Sequence, residues 1–126
     1  MLNFGVTTEI FLVTGVTDMR KSFDTLSAIV SETLKRDPYS GQVFVFCNRG
    51  RNRVKILVWD RSGFFLLAKR LEKGTFAWPQ SEAESIDITA EELTLLLGGI
   101  DLHDSKRRAW YERPDATPRR SLVASN

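Results

Sequence analysis

Seven cations stand close together in the chain: Arg49, Arg51, Arg53, Lys55, Lys69, Arg70 and Lys73. Guanidinium groups fit phosphate oxygens in a bidentate fork and lysine ammonium groups act as point charges, so this spacing is a candidate surface for a polyanion such as DNA. Phe44, Phe46 and Trp59 are interleaved with the cations and offer faces on which bases could stack. The same aromatic residues with Leu57 would equally suit contact with another protein, either a partner or a second copy of the chain. A plainer reading also stands: the charges solvate a hairpin and keep its edge from pairing.

Other chemistry finds little support. Cys47 and His103 are the only cysteine and histidine and lie far apart, so no spaced metal-ligand set is present and Cys–His catalysis is not expected. Asp18, Asp24, Asp60 and Asp87 could in principle gather as a two-metal nuclease cluster, but caps, turns and solvated edges account for them more simply. Gly98-Gly99 follows a helical pattern instead of preceding one, which excludes a phosphate-binding loop. The expectation is therefore no catalytic residue, no metal and no cofactor.

The elements that must carry the cations lie in residues 42–79. Three short apolar runs, 42–47, 54–60 and 64–70, are bounded by Gly, Asn, Arg and Ser and read as strands joined in hairpins. Residues 48–53, 61–63 and 72–74 supply the turns, and 75–78 reads as a further strand before Pro79. Both faces of the runs are apolar: Val54, Ile56 and Val58 alternate with Lys55, Leu57 and Trp59. A sheet with one wet face would alternate more cleanly, so a second layer or a partner is expected to cover the other face.

Around this centre, residues 1–9 read as a loose lead-in and 10–13 as a short strand. Phe23, Leu26, Ile29 or Val30, and Leu34 recur at helical spacing after a cap at Thr17 or Asp18, predicting a helix over about 19–34 that ends before Asp37-Pro38. Residues 80–85 read as a loop. Thr89-Ala90-Glu91-Glu92 is a capping box that opens a second, short helix closed by Gly98-Gly99. The fold class is α+β: one domain over 1–102, an antiparallel β-meander with one main helix packed on one face and a short C-terminal helix. Residues 103–126, with two prolines and six cations, read as a flexible basic tail, with Trp110 and Tyr111 as its anchors on the domain's own sheet or on a partner.

A chain of 126 residues can bury a core without disulfides. The lone cysteine, the lack of any stretch approaching the ~20 apolar residues of a membrane helix and the lack of an export signal point to a cytoplasmic protein with no membrane association. The net charge of +2 conceals blocks: residues 49–73 carry eight cations against Asp60 and Glu72, residues 74–105 carry seven carboxylates and no cation, and residues 106–126 return to basic. Such blocks bear on partners more than the sum does.

Several ordered blocks of the sequence are similar to a known family. Thr17-Asp18-Met19-Arg20-Lys21, Phe23-Asp24, Asp37-Pro38-Tyr39-Ser40-Gly41, Val43-Phe44-Val45-Phe46, residues 54–60, residues 69–74 and Phe76 with Trp78-Pro79 together resemble the TnpB-type accessory protein, the second open reading frame product of bacterial insertion sequences of the sixty-six family. The resemblance spans about residues 10–101. It implies a role in transposition beside a separate transposase of the same element, without catalytic activity of its own. Ser22 and Thr25, where the resemblance leads one to expect glycine, and Cys47, where a basic residue is common, depart from the pattern. The leading expectation is a DNA-binding accessory protein; the alternative is an adaptor that docks on the transposase or self-associates through Phe44, Phe46, Leu57 and Trp59.

Overall fold

The computed structural model describes residues 7–99. Its centre is a five-stranded sheet in the order β4-β3-β2-β1-β5. The strands are β1 (Ile10–Val16), β2 (Val43–Cys47), β3 (Arg53–Asp60), β4 (Gly63–Arg70) and β5 (Ser85–Ile88). The expected meander is present: β2, β3 and β4 pair antiparallel in sequence order. The sheet as a whole is mixed, because β1 runs parallel to β2, which requires a helical crossover between them.

That crossover is shorter and less regular than its sequence spacing predicts. Helix α1 (Phe23–Ala28) starts at Ser22, not at Thr17 or Asp18, and passes into a π-helical turn, Ile29–Thr33. Thr17 is buried instead, its N–H bonded to the Cys47 carbonyl. The Ser22 N–H donates to Thr25 Oγ1 at 2.9 Å, so the two positions that depart from the family pattern serve the helix start. The wide turn closes with the Leu34 N–H on the Ile29 carbonyl at 3.0 Å, and Lys35 at φ 58° ends it.

Alternation places two apolar sets on opposite faces of the sheet. Phe11, Val13, Phe44, Phe46 and Leu57 lie under Leu26 and Val30 of the crossover. Phe23 does not join them; it is 44% exposed, a correction to the expected helix stripe. The other face carries Ile10, Leu12, Val43, Val45, Val54 and Ile56 and packs against Leu93 and Leu96 of helix α2 (Ala90–Leu97). The capping box expected at this helix is formed: Thr89 Oγ1 accepts from the Glu92 N–H at 3.0 Å and Glu92 Oε1 accepts from the Thr89 N–H at 2.9 Å.

Beyond the meander one expected strand is absent, and the loop expected over 80–85 is present up to Ser85, where an unforeseen strand begins. Residues 75–79 form no strand; they cross the α2 face, burying Phe76 and Trp78. The indole N–H of Trp78 donates to the Val13 carbonyl at 2.9 Å, which satisfies the buried ring and ties the segment to β1. The acidic stretch leads directly into β5, whose Ile86 and Ile88 face the core and whose ladder with β1 forms the sheet's far edge. Domain limits placed at residue 102, the tail, and most of the N-terminal lead-in lie outside the described residues.

Candidate functional site

The charge blocks of the sequence become two edges of one sheet. The basic block forms β3, β4 and their turns, ending the sheet at β4; the acidic block forms β5 at the opposite edge and α2, whose C-terminal Leu97 carbonyl reaches Lys69 of β4. Exposed Glu82, Glu84 and Glu91 lie in the acidic part, whereas Arg49, Arg53, Arg61, Lys69, Arg70 and Lys73 are exposed in the basic part. Arg53 and Arg70 face each other directly across the β3–β4 ladder. Like charges so placed repel, so the pair destabilises the hairpin slightly unless an anion sits between them. The open groove beside them, about 440 Å³, is lined by Met19, Arg53, Lys55, Lys69, Arg70 and Glu72 among others.

The seven cations are not equivalent. Arg51 is turned inward: its guanidinium carbon lies 5.8 Å from the Trp78 ring centroid and its Nη1 is buried without a hydrogen-bond partner. Its backbone takes the left-handed conformation, φ 58°, and its carbonyl accepts the Phe76 N–H at 2.6 Å. Lys55 Nζ donates to the Lys21 carbonyl at 2.8 Å, fastening β3 to the lead into α1. Lys69 Nζ donates to the Leu97 carbonyl at 2.7 Å, where a cation complements the helix C-terminus. Arg70 pairs with Glu72 at 3.2 Å in an exposed bridge that a stronger anion could displace. Arg49, Arg53 and Lys73 are exposed, and among the described residues they form no side-chain ion pair.

The first turn owes its shape to asparagine, not to the glycine within it. Asn48 Oδ1 accepts from both the Asn52 and Arg53 N–H groups at 3.0 Å, and Asn48 Nδ2 donates to Asn52 Oδ1 at 2.8 Å. This brace aims Arg49 outward and Arg51 inward. Cys47, buried beneath it, has its thiol pKa pushed up from the ordinary 9.0 by burial, against a smaller opposing effect from Arg51. Arg20 is bonded to Asp18 at 2.7 Å and holds that carboxyl down at about 2, with the side-chain hydrogen bond the largest cause.

The proposed apolar contact set is corrected in three of its four members. Phe44, Phe46 and Leu57 are fully buried because the crossover helix covers the face they occupy. Trp59, at the rim of that face, is half-buried and meets Tyr39 and Phe64 with ring centroids 5.0 Å away in each case. Tyr39 is 57% exposed, as is Phe65, which alternates to the opposite face of the sheet. Sequence spacing missed this cluster because Tyr39 arrives from a separate loop. Among the described residues no group of three or more His, Cys, Asp or Glu side chains could hold a metal ion, and no helix is long and apolar enough to cross a membrane.

These features define a small α+β sheet domain with a basic edge and an aromatic rim. A family model described as "IS66 Orf2 like protein" matches residues 8–107. Two proteins of Sinorhizobium fredii are similar over most of their length: "Uncharacterized protein y4hO", 41% identical over 101 residues that cover 80% of this chain and 88% of the relative, and "Uncharacterized protein y4jC", 35% identical over 100 residues, 79% and 86%. No solved structure matches the chain. The chain belongs to the IS66 Orf2-like family, which makes it an accessory protein of insertion-sequence transposition.

Proposed function

We propose that this protein is a noncatalytic accessory factor that engages DNA phosphates with the basic edge of its sheet, in the cytoplasm and beside the transposase of the same element. The observation that carries this reading is the segregation of the charge blocks to opposite edges, with Arg53 and Arg70 opposed across one ladder. Arg49, Arg53, Arg70 and Lys73 are the cations assigned to phosphate; Lys55 and Lys69 already serve backbone carbonyls, and Arg51 points inward. Phosphate contacts of this kind position a protein without reading bases, so binding is expected to be indifferent to sequence.

Each neutralised phosphate contributes a log–log salt slope of about −0.9, so four contacts give about −3.6. Fluorescence anisotropy on a generic duplex across a salt series tests this. The double variant Arg53→Ala, Arg70→Ala should flatten the slope by about 1.8 and leave the fold intact. Absence of wild-type binding at low salt, or an unchanged slope in the variant, refutes the assignment.

A second reading is supported by the rim cluster of Tyr39, Trp59 and Phe64, of which Tyr39 is 57% exposed. Aromatic clusters of this kind anchor protein interfaces, so the rim suits docking on the transposase or on a second copy. Under this reading Tyr39→Ala abolishes association and leaves any DNA affinity unchanged.

A further inference from the structure

β4 is the last strand on its side of the sheet, paired with β3 alone. The two-residue turn Arg61-Ser62 joins Asp60 to Gly63, so those two form the closing hydrogen-bonded pair and the bonding alternates from there along the hairpin. The Leu71 N–H on the Asn52 carbonyl at 2.8 Å keeps that alternation. The N–H and C=O groups of Phe64, Leu66, Ala68 and Arg70 therefore point away from β3, and among the described residues nothing is hydrogen-bonded to them. The opposite edge, β5, is four residues long and carries Asp87. β4 runs for eight residues without a bulge or proline, and Gly63 to Ala68 is uncharged. A long, regular, apolar edge is a template for another strand.

We propose that the β4 edges of two copies of this chain pair antiparallel about a twofold axis and join their sheets into one. The register that links the outward groups and sets apolar residues against one another is centred on Leu66. It places Leu66 opposite Leu66, Phe64 opposite Ala68 and Phe65 opposite Leu67 of the second copy. Lys69 and Arg70 then fall opposite Gly63 and Ser62, so no like charges meet directly across the new ladder. Phe65 supplies the second argument. It is 57% exposed and stands on the α2 face, where an apolar groove of about 400 Å³ opens between the end of α2 and the hairpin, over Val54, Ile56, Leu67 and Leu97. The twofold brings each copy's Phe65 to the other's Leu67 at that groove. One chain thus carries both the knob and its hole, as an isologous interface requires. This surface is separate from the Tyr39 rim, whose Phe64 lies on the opposite face, and from the cations assigned to phosphate, which gather at the Arg53–Arg70 end of the hairpin.

Sedimentation equilibrium of the full-length chain, without DNA, tests the pairing; the wild type should reach a dimer as its concentration rises. Ala68→Pro deletes an N–H that serves nothing within the hairpin but removes two hydrogen bonds from the dimer, one per copy, and should raise the dissociation constant at least about tenfold. Phe65→Lys changes a side chain exposed in the monomer and should weaken the dimer as much, with the circular dichroism of the fold unchanged. Amide exchange on the wild type needs no substitution: the Phe64, Leu66 and Ala68 amides should exchange rapidly in dilute protein and become protected as the dimer forms. A wild type that stays monomeric up to its solubility limit overturns the proposal. So does a dimer indifferent to both variants, or one that leaves these three amides as exchangeable as in the monomer.

Discussion

Replacing Phe44 by alanine separates a core residue from a contact residue. Phe44 is fully buried on the central strand β2, opposite Phe11 on one side and Leu57 on the other, and its ring stacks on Phe11 at 5.9 Å and 21°. Burial of such a side chain is worth about 1.5–3 kcal/mol by transfer, and the cavity left beneath Leu26 and Val30 adds to it, so Phe→Ala in a core costs about 3–5 kcal/mol. Domains of this size are stable by only about 5–15 kcal/mol, so the variant forfeits a large share. In urea, with m of roughly 1–3 kcal/mol/M, a loss of about 4 kcal/mol lowers the midpoint by at least about 1 M. Trp59→Ala at the rim loses edge contacts with Tyr39 and Phe64 and should cost only about 1–2 kcal/mol. A Phe44→Ala protein that unfolds within about 0.3 M of wild type, yet fails to bind a partner, would restore Phe44 to the contact surface and refute the packing argument.

Arg51→Ala should reduce thermal stability, since it removes the cation beside Trp78, while leaving the salt slope of DNA binding unchanged; a flattened slope would mean that Arg51 reaches phosphate after all. Thr89→Ala removes the cap of α2 and should cost about 1 kcal/mol by urea denaturation, with no loss meaning that the helix start is held by other contacts. Asp18 should titrate near 2 by NMR and return toward 3.8 in Arg20→Gln; because its folded pKa is lowered, the associated stability is present above 3.8 and lost as pH falls toward 2. For Cys47 the sign is opposite in pH: its raised folded pKa means that the unfolded thiol ionises first, so stability falls as pH rises above 9.0, and the folded thiol should resist alkylation at neutral pH.

The sequence by itself determined the hairpins of β2, β3 and β4, the capping box of α2 and the family, because each rests on local chemistry: alternation, turn residues and a threonine three residues ahead of a glutamate. It also announced the charge blocks, and it implied that the second face of the sheet had to be covered. What it did not reveal was which cover lay on which face. That depends on β1 entering the sheet parallel to β2, a contact between strands separated by the whole crossover, which periodicity does not encode. The burial of Phe44, Phe46 and Leu57, the exposure of Phe23 and the inward turn of Arg51 all follow from such long-range placement. Residue type gave Arg51 the same standing as Arg49 and Arg53; only the tertiary structure, through the Asn48 brace and the Trp78 crossing, decided which guanidinium meets solvent.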